Sequence, residues 1–167
     1  MAVFNKSDIV RSARIGIPRD LYTVRCLKSE KGQSAKGFEM SVTDFEIISP
    51  ESIVAGDGSK VMIAGTKFRV WFLHEPTADW GQDRVAEFAG KIGLSEEAGY
   101  VSETFREEVV GKLIQWILSS EETFQMYGKN DPDPDKAGKF ILKPDGSKIS
   151  SGYRVKAEIV DAVGLAD

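Results

Sequence analysis

The chain has 167 residues and a net charge of −4, with 41% hydrophobic and 29% charged residues. Such a length allows one domain with a substantial core, and the composition is that of an ordinary globular protein. No stretch reaches the roughly 18 apolar residues of a membrane span, and we expect no signal peptide. The single cysteine, Cys26, excludes an internal disulfide and fits a reducing environment. We therefore expect a cytoplasmic protein.

The charges are unevenly distributed along the chain. Residues 1–40 carry a net charge of +4 and residues 136–167 carry +2, whereas residues 75–135 carry −9. If the two basic ends meet in the folded chain, one face is positive although the whole protein is acidic, and local potential steers ligands. The alternative is that the segregation only reflects the solvated faces of a helical middle.

The N-terminal residues 1–20 show no strong hydrophobic period and contain four Lys/Arg residues. Gly16 and Pro18 argue against one continuous helix. We interpret residues 1–20 as a basic N-terminal arm with a short helical turn over residues 8–13. Residues 21–167 are expected to form a single domain.

This domain begins with two predicted strands, over residues 21–29 and 38–48, which are rich in β-branched and aromatic residues. The polar, glycine-containing residues 30–37 connect them and indicate a hairpin. The apolar residues change parity midway along the second strand. A bulge near Thr43 and Asp44 would turn both apolar sets toward the core.

The third strand is predicted over residues 61–74, with an interruption at Gly65. Successive side chains of a strand point to opposite faces. One face of its second half is apolar and consists of Phe68, Val70 and Phe72. The other face carries Lys67, Arg69 and Trp71. A nucleic-acid strand would use the cations for phosphates and the ring for base stacking, although Trp71 is alternatively a structural residue packed under a loop.

Two helices are predicted after the third strand. The first has an N-cap at Thr77 and apolar residues at helical spacing from Trp80 onward, and it ends at Gly93. The second begins near Ser102, and its apolar stripe continues through Trp116 to Ile117. Both tryptophans lie on apolar stripes, so we expect both in the core. The acidic residues lie mainly on the outer faces.

The chain returns to a strand pattern over residues 123–127 and 140–142, and the last strand is predicted over residues 153–160. Its inward side chains are Val155, Ala157 and Ile159. Its outward cations are Arg154 and Lys156. We expect the inward set to be buried together with the apolar face of the third strand.

No catalytic or metal-binding motif is apparent. His74 is the only histidine, and Cys26 lies on a predicted strand without an activating neighbour. Three alternate aspartates in residues 131–135 suggest a calcium loop, but Lys136 and Leu142 stand where that loop needs glycine and glutamate. We therefore predict a protein that is not an enzyme and has no cofactor or metal. A carboxylate-only active site is an alternative, because spatial pairs are invisible in a sequence.

The order of three strands, two helices and closing strands is that of an OB-fold barrel. The expected fold class is therefore mainly β, a five-stranded OB-fold-like antiparallel barrel with two helices between the third and fourth strands. In this arrangement the last strand returns beside the first and brings the two basic ends together. The face of the second and third strands is the usual nucleic-acid platform.

The hairpin over residues 21–48, with its polar turn from Lys31 to Gly37, resembles the start of phage-type single-stranded-DNA-binding proteins with an OB fold. The closing segment over residues 152–156 is similar to their ends. The resemblance implies sequence-independent binding of single-stranded DNA, with RNA as an alternative, during replication or recombination in the host cytoplasm. It also implies replication proteins as partners and homo-oligomers. A different class, a protein-interaction or virion structural module, would instead use the acidic helical face.

Eight residues are expected to contact the nucleic acid, seven cations and one tryptophan. They are Lys28, Lys31, Lys36, Lys67, Arg69, Trp71, Arg154 and Lys156. We expect the cations to lie on one side of the protein, away from the acidic residues 121–122 and 131–135.

Overall fold

A computed structural model of the chain describes residues 9–11, 16–54, 58–75 and 81–164. The strands are β1 (Ile9–Arg11), β2 (Asp20–Gln33), β3 (Glu39–Ser49), β4 (Ser52–Val54), β5 (Lys60–Met62), β6 (Lys67–Leu73), β7 (Leu113–Phe124) and β8 (Ser150–Ala162). The helices are α1 (Gln82–Lys91), α2 (Glu96–Tyr100) and α3 (Ser102–Val109). Within these ranges, no helix is both long enough and apolar enough to cross a membrane.

Five strands form one antiparallel sheet in the order β6-β3-β2-β7-β8. The described helices all lie between β6 and β7 in the chain, so the mainly β fold with a helical insertion is confirmed, with three helices in place of two. The sheet is barrel-like, because its edge strands β6 and β8 border a common cleft, but no ladder joins them in the described residues. The prediction that the last strand returns beside the first is wrong, because β7 lies between β2 and β8.

Three short strands form a second sheet in the order β1-β5-β4. β1 runs parallel to β5, with Val10 opposite Val61. The helical turn predicted over residues 8–13 is therefore wrong at residues 9–11, where β-branched Ile9 and Val10 favour an extended chain. The rest of that prediction lies outside the described ranges. β5 and β6 are separate strands, as expected from the interruption at Gly65.

One aromatic core joins the sheet to the helices. Phe45 of β3 stacks on Phe68 of β6 with ring centroids 5.3 Å apart, and Trp116 of β7 meets Phe45 edge-on at 5.2 Å. Phe72 contacts Phe105 of α3 at 4.9 Å. Tilted and edge-on pairs of this kind add to the burial of their apolar surface. The predicted burial of the apolar face of β6 is confirmed, since Phe72 is completely buried.

The β2–β3 ladder has two register shifts, and neither inserts a residue at the place predicted in β3. One leaves Leu27 of β2 as the extra residue, and the other leaves Ile48 of β3. The bulge predicted near Thr43 and Asp44 is therefore wrong, and the burial of β3 alternates regularly along the strand. The buried side chains of β3 are Ser41, Thr43, Phe45 and Ile47. The two polar members tolerate burial because the hydroxyl of Thr43 bonds Ser29 at 2.9 Å and that of Ser41 bonds His74 at 2.7 Å.

The second predicted helix combines a helix and a strand. α3 ends at Val109, and the chain turns at Gly111, whose φ of +82° suits a residue without a Cβ, before β7 begins. Trp116 is buried as predicted, but it reaches the core from a strand. α1 lies where the first helix was predicted, while Thr77 and Trp80 lie outside the described residues.

β8 is longer than predicted and keeps the predicted parity. Its inward residues pack against the core without full burial, because β8 is an edge strand beside the cleft; they are Val155, Ala157 and Ile159. Between β7 and β8 the chain forms a ribbon with two isolated bridges, Met126 to Phe140 and Leu142 to Lys148. These bridges replace the short strands predicted there.

Candidate nucleic-acid interface

A cleft of about 610 Å³ lies between the edge strands β6 and β8. Five of the eight predicted site residues line it: Lys67, Arg69, Trp71, Arg154 and Lys156. The three from β6 face outward because alternate residues of that strand are buried in the core. The two from β8 face outward by the same alternation. The sheet order therefore brings together residues that are more than 80 positions apart in the sequence.

Trp71 provides the exposed aromatic surface on the β6 wall of the cleft. Its side chain is 55% exposed, although both sequence neighbours, Val70 and Phe72, are buried. Its Cα lies opposite that of Val42 on β3. The predicted partial exposure of Trp71 is confirmed. Stacking of the indole on a base stays a prediction.

Arg69 forms a bidentate ion pair with Asp44 at the edge of the cleft. Its Nε and Nη2 atoms donate to the two carboxylate oxygens of Asp44 at 2.7 and 3.3 Å. The hydrogen bond from Arg69 is the largest of the effects that lower the pKa of Asp44. Lys28 approaches the same carboxylate, with its Nζ atom 3.7 Å from Oδ2. Register explains this cluster, since Asp44 lies opposite Arg69 on one side and Lys28 on the other.

The cluster around Asp44 extends the interface beyond the cleft. Lys28, Asp44 and Leu27 line a second depression of about 690 Å³, which shares Lys67, Arg69 and Trp71 with the first. Six of the eight predicted residues thus border two adjoining depressions on the outer face of β6.

Arg154 lies on the β8 wall of the cleft and pairs with Glu121 of β7. Its Nη2 and Nε atoms donate to one oxygen of Glu121 at 2.9 and 3.1 Å. The prediction that the cations lie away from residues 121–122 is therefore wrong for Arg154. The antiparallel register of β7 and β8 places Arg154 directly opposite Glu121. Lys156 lies 3.9 Å from Glu158 on its own strand.

Lys31 and Lys36 lie on the β2–β3 hairpin and line neither depression. Lys31 lies opposite the buried Ser41, so it belongs to the inner face of the sheet, and its Nζ atom is 3.8 Å from Glu39. Lys36 is exposed in the turn between the strands. The structure thus places these two lysines apart from the other six predicted residues.

Tyr153 and Arg84 are among the residues of the cleft that were not predicted from the sequence. Tyr153 precedes Arg154 on β8 and lies half-buried in the cleft. Arg84 reaches the cleft from α1, which packs against both β6 and β8. The alternation of β8 could have assigned Tyr153 to the inner face beside Val155. No sequence pattern could have placed Arg84 in the cleft, because its position depends on how α1 packs on the sheet.

A polar network at the far end of β6 is the strongest alternative location for chemistry. His74 Nε2 lies 2.7 Å from Ser41 Oγ, and Arg106 Nη1 donates to Ser41 Oγ and Glu39 Oε2 at 3.1 Å each. Burial lowers the pKa of His74, and the charge of Arg106 lowers it further. His74 Nδ1 has no hydrogen-bond partner among the described residues, so none of their carboxylates orients the ring for base catalysis. Ser41 is also fully buried, so this network ties α3 to the sheet.

Cys26 offers no alternative nucleophile. Its side chain is buried, and burial raises the pKa of the thiol to about 12. A thiol in this state carries almost no reactive thiolate at neutral pH. The buried cysteine is therefore a core residue.

The cleft combines Trp71 and Tyr153 with five cations from β6, β8 and α1. Such a surface can stack planar rings and hold phosphates. Comparisons of the chain with protein-family models, with curated proteins and with solved structures find no match. The geometry of the cleft is accordingly the basis on which a function can be assigned.

Proposed function

We propose that the protein binds single-stranded DNA in the cleft between β6 and β8, with little sequence preference and without catalysis. The observation that carries the proposal is the 55% exposure of Trp71 on a strand where Lys67 and Arg69 share its face. Every base has a flat π-face, so stacking on an exposed indole tolerates any sequence. The neighbouring cations suit the phosphates that connect successive bases.

The strand order supports an OB-fold assignment. Counting β2, β3, β6, β7 and β8 as first to fifth, the order is third, second, first, fourth, fifth. An OB-fold barrel has this order when its fourth strand, and not its last as predicted from the sequence, pairs with the first, and its third and fifth strands face each other where the ring closes. The strands that correspond to its ligand platform are β3 and β6, which carry Asp44, Arg69 and Trp71. The fold thus supports the resemblance to phage-type single-stranded-DNA-binding proteins.

The proposed role is protection of single strands during replication or recombination in the cytoplasm. Replication proteins and further copies of the chain are the partners that the resemblance implies. The net charge of −4 does not oppose this role, because steering depends on the potential at the cleft. Arg69 and Arg154, on opposite walls, supply two guanidinium groups suited to phosphate.

A second candidate function is docking of a protein partner on the acidic helices. The exposed carboxylates of α1, α2 and α3 include Glu87, Glu96, Glu97, Glu103 and Glu107. Tyr100 is 61% exposed at the end of α2 and offers an apolar contact beside these charges. This arrangement suits a basic partner. It would leave the cleft between β6 and β8 without a role.

A titration with fluorescently labelled oligo-dT at two salt concentrations tests the proposal. We expect tight binding at low salt, weaker binding at high salt and little binding of a duplex of the same length. The electrostatic share of the affinity falls with salt because cations compete for the phosphates. Absence of binding to oligo-dT at low salt would overturn the proposal and favour the protein-docking function.

A further inference from the structure

The two arginines on opposite walls of the cleft are both occupied by carboxylates of the protein itself. Arg69 uses Nε and Nη2 to hold Asp44, and Arg154 uses the same two atoms to hold Glu121. These adjacent N–H groups form the fork with which a guanidinium grips a phosphate. The carboxylates therefore occupy the positions on both arginines that phosphates would take.

Asp44 and Glu121 differ in exposure, but both can be displaced. The side chain of Arg69 is 49% exposed and that of Arg154 is 66% exposed, so both guanidinium groups are accessible from solvent. Glu121 is 49% exposed, whereas Asp44 is 18% exposed and has Lys28 as a second cation nearby. After a phosphate takes Arg69, Lys28 can continue to neutralise Asp44. The Arg154–Glu121 pair is exposed on both sides and contributes little free energy, and the arginine of the Arg69–Asp44 pair is open to solvent, so a stronger polyanion can exchange with both carboxylates.

We propose that Asp44 and Glu121 are affinity-setting residues that act as internal substitutes for phosphate, and that a single strand binds by displacing both. This inference rests on the proposed function and adds the class of ligand that the cleft accepts. A free phosphate or a mononucleotide can replace only one of the two carboxylates, so the net gain in binding free energy is small. A single strand that spans both walls replaces both carboxylates and also stacks a base on Trp71. The cleft therefore selects oligonucleotides over small anions.

This exchange also predicts an unusual response to salt. Each phosphate that contacts a cation releases a counterion from the nucleic acid, which steepens the dependence of log affinity on log salt concentration. A displaced carboxylate becomes a free anion and attracts a counterion from solution. The two events oppose each other, so the parent protein should show a shallower slope than the number of its phosphate contacts implies.

The variants Asp44→Asn and Glu121→Gln test this mechanism, because each removes a charge while keeping the size of the side chain. The experiment is a titration of labelled oligo-dT over a series of salt concentrations. We expect each variant to bind about two- to fivefold more tightly than the parent at low salt, which matches the strength of an exposed ion pair. The slope of log affinity against log salt should steepen by up to about one unit per variant.

The matched control is Glu107→Gln on α3, which removes the same charge from an exposed carboxylate outside the cleft. We expect its affinity and salt slope to equal those of the parent. Thermal unfolding followed by circular dichroism verifies that each variant is folded.

The outcomes separate this inference from the proposed function. If the parent binds oligo-dT while both variants bind equally or more weakly with the parent slope, the carboxylates position the arginines and the inference is overturned, although the proposed function stands. An equal gain in Glu107→Gln would also overturn it, because the effect would then be one of total charge. If the parent fails to bind oligo-dT at low salt, the proposed function and this inference both fall.

Discussion

Two arginine–carboxylate pairs lie on opposite faces of β3 and differ in what surrounds the arginine. Arg106 is 12% exposed and donates to both Glu39 and Ser41 inside the polar network under α3. Arg69 is 49% exposed and pairs with Asp44 at the edge of the cleft. The first pair fastens a helix to the sheet, whereas the second leaves a cation within reach of a ligand. Pairing with a carboxylate does not by itself distinguish a structural arginine from a binding one. The distinction lies in how deeply the arginine is buried and whether its other N–H groups are also used within the protein.

The largest expected effect concerns the buried face of β6, on the same side of the sheet as Arg106. Phe72→Ala should lower the free energy of unfolding by about 3–5 kcal/mol, because it removes a fully buried ring and leaves a cavity. Phe88 and Phe105 both pack on that ring, so the helices would lose contact with the sheet. Urea denaturation measures the loss. A loss below about 1 kcal/mol would place Phe72 outside the core, contrary to its burial.

The two arginines themselves provide the second test. Arg106→Met should lower the free energy of unfolding by about 2–3 kcal/mol, since hydrogen bonds to charged groups contribute roughly 1.5–3 kcal/mol. Arg69→Met should lower it by less than about 1 kcal/mol, as expected of an exposed pair. Both substitutions remove the guanidinium group and keep an unbranched apolar side chain, and denaturant midpoints compare them directly. Equal losses would contradict the distinction between the two pairs.

The third test measures binding on the exposed face. Trp71→Ala should weaken binding of oligo-dT roughly ten- to a hundredfold, because loss of one stacked base costs about 1–3 kcal/mol. Its stability should stay near that of the parent, in contrast to Phe72→Ala. Trp71→Phe should recover much of the affinity while losing most of the quenching of tryptophan fluorescence by oligonucleotide, since Trp116 is completely buried. Parent-like binding by Trp71→Ala would move the stacking surface elsewhere.

The smallest expected effect is a pH dependence in the network around Arg106. The pKa of His74 is lowered in the folded protein, chiefly by burial, so the unfolded chain binds this proton more readily. The contribution of neutral His74 to the free energy of unfolding is fully present above pH 6.5, the ordinary pKa of histidine. This contribution is lost as the pH falls from 6.5 through the lower pKa of the folded protein. Denaturation of the parent and of His74→Asn across this window measures the effect. An identical pH dependence in both proteins would show that His74 does not contribute.

The parity of β6 was predictable because its alternation admits only one orientation in the core. The strand β7 was not predictable, because the apolar residues around Trp116 fit two patterns. Residues 113, 116 and 117 have helical spacing, whereas residues 114, 116 and 118 have the alternate spacing of a strand. Only the turn at Gly111 decides between the two. The helix assignment failed there although the predicted burial of Trp116 is confirmed.

The composition of the cleft was predictable in part. The cations of β6 and β8 followed from alternation, but their carboxylate partners did not. Asp44 and Glu121 reach Arg69 and Arg154 across strands, and cross-strand partners depend on a register that one sequence does not reveal. Lys28 and Lys31 were both predicted to contact the nucleic acid, although an odd separation places two residues of one strand on opposite faces. The burial of Ser41 and Thr43 was not predicted, because hydropathy does not account for their hydrogen bonds.

The gap between β6 and β8 has a consequence for the solubility of the protein. An edge strand presents backbone N–H and C=O groups to which a strand of another chain can add, and this is a common route to aggregation. Charged side chains, lysine above all, discourage such pairing. Lys67 and Arg69 on one edge, with Arg154 and Lys156 on the other, therefore act as gatekeepers against edge-to-edge association of copies. Apolar substitutions at these positions would endanger the solubility of the chain before they endanger its folding.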